Sequence, residues 1–186
     1  MLTLNFSPFP LLQTERLTLR KINIEDADDI FLLRSDDRVN KFIDRPKAQS
    51  LDDAKNFINQ IRSRVSNNEL LYWAITQKKD SKLIGTIVIW NLSPKDSCAE
   101  VGFELLPDFQ GQGLMREALI KVIEYGFTQL KLQVLEALPE ERNERSIALL
   151  EREQFKQNPS FVHPEPSTGH DFKTMRYTLS AADFSN

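Results

Sequence analysis

The chain has 186 residues, of which one is cysteine, Cys98, and two are histidine, His163 and His170. A lone cysteine excludes an intramolecular disulfide and a cysteine-based metal site. Two histidines in one Pro- and Gly-containing stretch argue against a zinc centre or a Ser-His-Asp triad. Basic excess is missing too: 24 Lys and Arg face 27 Asp and Glu, a net charge of −3. A general nucleic-acid binder needs the opposite balance, although a local basic patch stays compatible with it. No apolar run approaches the roughly 20 residues that cross a bilayer. The N-terminus lacks the charged start and apolar core of a secretion signal. What is left is a cytoplasmic enzyme or binding domain, with no nucleic-acid or membrane partner and no metal. Hydrophobic content of 40% and charged content of 27% fit one globular domain, 1–186.

Periodicity sketches the elements. Arg16–Lys21 alternates Leu17 and Leu19 with polar neighbours, as a strand does. Glu25–Arg34 predicts a helix with acids in its first turn, and Arg38–Ile43 a short second one. Ser50 is suited to cap a third helix, where Ala54, Phe57, Ile58, Ile61 and Val65 share a face. Leu70–Thr76, Leu83–Trp90 and Cys98–Leu106 read as strands, with a hairpin turn at Asn91–Ser97. A helix then follows, with Met115, Ala118, Leu119, Val122, Ile123 and Gly126 on one face. Gln133–Leu138 predicts a strand, 143–153 a helix and Phe172–Leu179 a last strand, beyond a loop at 158–169. The order is mixed α/β, with too little alternation for a doubly wound sheet.

The junction LLPDFQGQGLMREAL, Leu105–Leu119, carries the most chemistry. An apolar strand ends at Pro107, and Gly111 and Gly113 precede a helix. Helix N-termini present unpaired N–H groups and partial positive charge, and glycine lets an anion come close. A phosphate-bearing ligand at about Gln110–Arg116 is the first inference. A P-loop would need Lys and a hydroxyl after the second glycine, where Leu114 and Met115 stand. A dinucleotide fingerprint would need a third glycine where Arg116 stands.

The junction instead resembles the acyl-coenzyme A turn of GNAT acetyltransferases, Gln/Arg-x-x-Gly-x-Gly/Ala, with Gln110, Gly113 and then Met115. Met115 departs from the general pattern and is similar to the RimJ/RimL-like branch. So are TERLTLR at 14–20, YWAI at 72–75, KLIGTI at 82–87 and AEVGFELLP at 99–107. Asn143 and Ser146 before ALLEREQF are similar to that branch's Asn-x-x-Ser helix, though Gln154 stands where the family has Gly. This departure implies that the helix terminates differently. The resemblance covers about residues 12–180 in the right order.

The resemblance implies a central, mostly antiparallel sheet flanked by helices, with a splayed strand pair that binds acyl-CoA. It implies acetyl transfer from acetyl-CoA to a primary amine: a protein N-terminus, as in ribosomal-protein acetylation, or a small amine. The main chain of Glu104, Leu105 and Leu106 would hold pantetheine and the thioester oxygen. Gln110, Gly111, Gln112, Gly113, Leu114, Met115 and Arg116 would hold the pyrophosphate, and Asn143 the pantetheine or its own helix end. Glu100 is the candidate base, acting through water; an exposed strand carboxylate paired with a lysine is the other reading. Glu104 shares its parity and is a candidate to orient the amine. The family's common acid, a tyrosine seven residues after Asn143, is Leu150 here, which leaves Ser146 as the candidate near the sulfur. Trp90 and Phe42 are acceptor-wall candidates by fold analogy, while Trp73 and Phe57 read as core and Arg62 and Arg64 as a solvated face. His163 and His170 fall in the loop that borders the acceptor site in this family. The acidic balance mildly favours a cationic acceptor. A non-catalytic acyl-CoA sensor is the competing class. An oligomer is compatible with everything above.

Overall fold

Residues 4–159 and 173–184 are described by the computed structural model. Strands β1 (Leu12–Gln13) and β2 (Leu17–Lys21) open the chain. The expected first helix begins as a 3-10 turn, Ile24–Asp26, before α1 (Ala27–Ser35). There the Asp26 carboxylate accepts the Asn23 N–H at 2.9 Å and is held by Arg20 at 2.6 Å. The second helix, α2 (Asp37–Asn40), is one turn rather than the longer segment expected. Helix α3 (Leu51–Ser66) begins at Ser50, whose hydroxyl accepts from the Asp53 N–H while Asp53 caps back.

Then come β3 (Leu71–Gln77), β4 (Asp80–Ser93), β5 (Cys98–Leu105), α4 (Leu114–Thr128), β6 (Val134–Ala137) and α5 (Glu144–Arg152). Strands β7 (Lys156–Asn158) and β8 (Arg176–Ser180) and α6 (Ala181–Phe184) follow. Strand β4 runs on to Ser93, so the expected turn at 91–97 is narrower. The last strand starts at Arg176, and Phe172, His163 and His170 lie outside the described residues. The sheet has eight strands in the order β1-β2-β3-β4-β5-β6-β8-β7. Only β5–β6 is parallel, so the sheet is mostly antiparallel, as expected.

Each face of the sheet buries its own cluster. Leu71, Trp73 and Ile75 of β3 pack under α4, with Trp73 fully buried and its indole N–H donating to the Pro10 carbonyl. Tyr72 and Ala74, of opposite parity, pack against Ile30 of α1 and Ile58 of α3. Among the described residues no helix is long and apolar enough to cross a membrane.

Helix α5 ends as the family's glycine would have it end, without the glycine. Gln154 adopts φ 67°, Phe155 N–H reaches the Leu150 carbonyl and Gln154 N–H the Glu151 carbonyl. That is a Schellman turn. The expectation of a different helix end is corrected, and β7 starts two residues later.

Candidate active site

The site starts where a strand pair comes apart. β5 and β6 pair only from Cys98–Glu100 to Val134–Glu136, yet β5 continues to Leu105. Beyond Glu100 one edge of β5 has no neighbouring strand among the described residues. Which backbone groups face that gap follows from the register on the other edge. Leu106 N–H donates to the Ile84 carbonyl at 2.9 Å. Antiparallel pairing alternates, so Glu104 and Gly102 also turn N–H and C=O toward β4. Val101, Phe103 and Leu105 then face the gap. This corrects the expectation for the main chain of Glu104, which is spent on β4, and of Leu106, whose N–H goes to Ile84 and whose carbonyl accepts the Phe109 N–H at 3.0 Å. Leu105 is half available, because its carbonyl accepts Gln110 Nε2 at 2.8 Å.

The glycine turn stands at the far end of β5. Gln110 N–H is used by the Pro107 carbonyl, and its side chain links Leu105 to Arg145 at 2.9 Å. Gln110 is therefore a brace, and the open donors begin at Gly111. Gly111 and Gly113 sit at φ 74° and 75°, a region that side chains disfavour. A Cβ on Gly111 would meet nothing within 4 Å. Glu117 N–H closes the first turn of α4 on the Gly113 carbonyl at 3.1 Å. Six N–H groups, Gly111 to Arg116, thus have no protein acceptor among the described residues, and a pyrophosphate fits that cradle. Leu114 and Met115 bury their side chains in the core and offer only main chain. Arg116 ion-pairs with Glu153 at 2.6 Å, so its charge is already engaged.

A clamp that the sequence did not suggest holds the turn. Arg16 donates to the Gln112 carbonyl at 3.0 Å and pairs with Glu117 at 2.6 Å. Burial pushes the Glu117 carboxyl up, but bonds from the Thr14 hydroxyl and from Arg16 outweigh it and leave the pKa lowered.

A cavity of about 530 Å³ is lined by residues on both sides of the gap between β5 and β6. On its walls are Glu100, Gly102 and Glu104 from one face of β5, with Asn143, Ser146 and Leu150 across the gap. The parity reading of Glu100 and Glu104 therefore holds. Glu100 accepts from the Asn91 amide at 2.9 Å, and no lysine pairs with it among the described residues. Glu104 is bound by Arg45 through both guanidinium nitrogens, at 2.5 and 3.1 Å, and by the Thr86 hydroxyl at 3.1 Å. Tyr72 donates to Thr86 at 3.0 Å. Burial, then the charge of Glu104, raises the Tyr72 phenol, which keeps it a donor. Arg45, Thr86 and Tyr72 are absent from the sequence-based candidates. The one available signal was that Thr86 shares the parity of Val88 and Trp90.

Asn143 caps α5, its side-chain oxygen accepting Ser146 N–H at 3.2 Å. The Ser146 side chain makes no hydrogen bond among the described residues. Leu150, in the tyrosine's place, lines the cavity with no proton to give. Trp90 and Phe42 are on the wall as expected; Phe57 and Arg64 also line it, while Phe57 packs against the second core cluster and Arg64 stays largely exposed, as their readings had it.

A splayed parallel pair, an anion cradle beyond the end of the same strand and a cavity along the gap are parts that an acyl-carrier transferase site would use. The Acetyltransferase (GNAT) domain family matches residues 16–156. The chain is 33% identical over 171 residues to an uncharacterized N-acetyltransferase, YoaA, of Bacillus subtilis (strain 168), covering 92% of this chain and 97% of that one. The chain belongs to the GNAT acetyltransferase family. Solved structures of the same fold include RimL, a ribosomal L7/L12 alpha-N-protein acetyltransferase in complex with coenzyme A. It has TM-score 0.83 and 16% identity over 94% of this chain and 99% of that one. A spermidine N-acetyltransferase from Vibrio cholerae, in complex with CoA and spermine, has TM-score 0.79 and 20% identity over 91% and 98%. The GNAT resemblance read from the sequence is borne out.

Proposed function

We propose that this chain is an acetyl-CoA-dependent N-acetyltransferase whose acceptor is a primary amine brought into the gap between β5 and β6. The carrying observation is the cavity lined from both sides of that gap, with Glu100 of β5 and Ser146 of α5 among its walls. The N–H groups of Gly111 to Arg116 would hold the pyrophosphate. The exposed edge at Phe103 and Leu105 would pair with the pantetheine amides, as a missing strand would. Acetyl-CoA supplies an activated thioester carbonyl.

The chain's residues then have three tasks. An alkyl ammonium titrates near 10, so it must lose a proton before it attacks. Glu100, carrying no cation, would take that proton through a water. A gap-facing N–H, Leu105 or Phe103, would stabilise the developing oxyanion. Ser146 would donate to the departing sulfur and be resupplied from cavity water, in place of the tyrosine that Leu150 replaces. Glu104 is neutralised by Arg45 and would shape the acceptor wall rather than act as base.

Thiol release from acetyl-CoA across a panel of peptides and small amines tests this reading. Turnover that Glu100→Gln lowers at least tenfold, with acetyl-CoA affinity kept, supports it. Binding of acetyl-CoA without turnover on any amine would leave a sensor instead, and loss of binding would sink both.

A further inference from the structure

Most charges on the cavity wall are cancelled in place. Arg45 pairs with Glu104, Arg64 with Glu69 at 3.1 Å, and Glu140 with Arg142 at 2.5 Å. Asp44 is engaged as well. Two others have no oppositely charged partner within ion-pair distance among the described residues. One is Glu100, whose one hydrogen bond among the described residues comes from the neutral Asn91 amide. The other is Arg34, in the last turn of α1.

Arg34 has no carboxylate within ion-pair distance among the described residues. Its guanidinium carbon lies 3.8 Å from the Phe57 ring centroid, and Phe57 stands edge-on to Tyr72 at 5.7 Å. A cation stacked flat on a ring keeps its in-plane N–H donors free, and here the residue lines the cavity. Burial, then the like charge of Arg45, lowers its pKa, so the site holds a cation that its surroundings disfavour. A half-buried fork of donors with no protein acceptor among the described residues is a place where an anionic ligand can make charge-assisted hydrogen bonds.

The two charges lie apart. Arg34 is near Arg45 and Glu104, whose charges it feels. Glu100 is four residues back along β5, roughly 13 Å at about 3.3 Å per residue. The cavity is thus dipolar: negative where the amine would be deprotonated, positive at its α1–α3 end.

Building on the acetyltransferase reading, we infer that the acceptor is a primary amine carrying an anionic group, carboxylate or phosphate, several bonds from the nitrogen, and that Arg34 stacked on Phe57 receives that group. The overall acidic balance pointed to a cationic acceptor; the local charge opposes it. A polyamine would bring a second ammonium to Arg34.

Matched chains test this with the intact protein. Aminohexanoate, aminohexanamide and diaminohexane share one spacer and differ in the far charge; aminobutyl phosphate separates phosphate from carboxylate. The expected result is kcat/KM at least tenfold higher for an anionic member than for the amide or the diamine. Arg34→Gln should raise KM for the anionic amine about tenfold or more, with kcat and the amide's kinetics unchanged. Arg34→Lys should restore part of the difference. The amide serves as the folding control, beside a thermal melt. Equal or better use of the amide or diamine, or an equal effect of Arg34→Gln on both, overturns the inference and leaves the acetyltransferase reading standing. Acetyl-CoA binding without turnover on any chain overturns both.

Discussion

Gly85 of β4 sets how closely β5 can approach at the edge of the gap, and Gly85→Ala should show it. A Cβ there would lie 2.4 Å from the Glu104 carbonyl oxygen, 2.7 Å from Leu105 Cδ1 and 3.0 Å from Leu105 Cα. Two of those atoms are backbone, and the Leu105 side chain belongs to the main core, so no rotamer change clears the contact. To reach an ordinary 3.4 Å the carbonyl must retreat by about 1 Å (3.4 less 2.4). That carbonyl is turned toward β4 by the ladder, so the retreat weakens one backbone hydrogen bond, worth about 1 kcal/mol. Overpacking adds about 1–3 kcal/mol. A total near 3 kcal/mol corresponds to a fall in Tm of about 6–12 °C for a chain of this size. Thermal denaturation measures the first effect. Calorimetric titration with coenzyme A measures the second, because Phe103 and Leu105 move with Glu104 and should bind pantetheine less well. A variant as stable as the parent, with the same coenzyme A affinity, would refute the claim that this contact sets the edge.

Gln154→Gly should stabilise, since the left-handed residue costs about 1–2 kcal/mol without glycine and glycine returns about half of that as unfolded-state entropy; a Tm rise of about 1–4 °C in a thermal melt is expected. Gly113→Val should weaken coenzyme A binding by at least tenfold in calorimetry, because φ 75° is hostile to a branched side chain and the cradle would distort. Asp36 is held at a pKa of about 2, chiefly by the Arg38 side chain, then by N–H groups it caps. A lowered carboxylate pKa adds stability that is present above its unfolded value near 3.9 and is lost as pH falls toward 2. Urea midpoints of Asp36→Asn, which keeps a cap, should therefore fall below the parent at pH 7 and converge with it near pH 2.

Local signals carried far into this fold. The Ser50 cap, the β2 alternation and the glycine turn each depend on neighbours within a few residues. Side-chain parity along β5 was equally readable, and it put Glu100 and Glu104 on one wall. The direction of the β5 backbone groups was not readable, because it depends on which residues β4 pairs with. Parity says which face a side chain takes, while register says which edge an N–H takes. That distinction moves the expected pantetheine contacts from Glu104 and Leu106 to Phe103 and keeps Leu105. The Arg45–Glu104 pair escaped for a related reason: 59 residues separate the partners, and no periodicity links them. Gln110 looked like a phosphate ligand because the motif includes it, yet its side chain joins β5 to α5.

The same brace explains how one strand end serves two jobs. At Leu105 the carbonyl is capped by Gln110 while the N–H stays open to the gap. Gln110 in turn is held by Arg145 of α5, the helix that carries Ser146 on the opposite wall. Phosphate cradle, open edge and the far wall of the cavity are thus tied by one side chain. Gln110→Ala should therefore do more than remove a polar group. It frees the Leu105 carbonyl and releases α5 from β5, so kcat should fall along with coenzyme A affinity, while a mere phosphate ligand would lose affinity alone. Steady-state kinetics beside calorimetric affinity separate the two. A variant that loses only affinity would return Gln110 to the pyrophosphate.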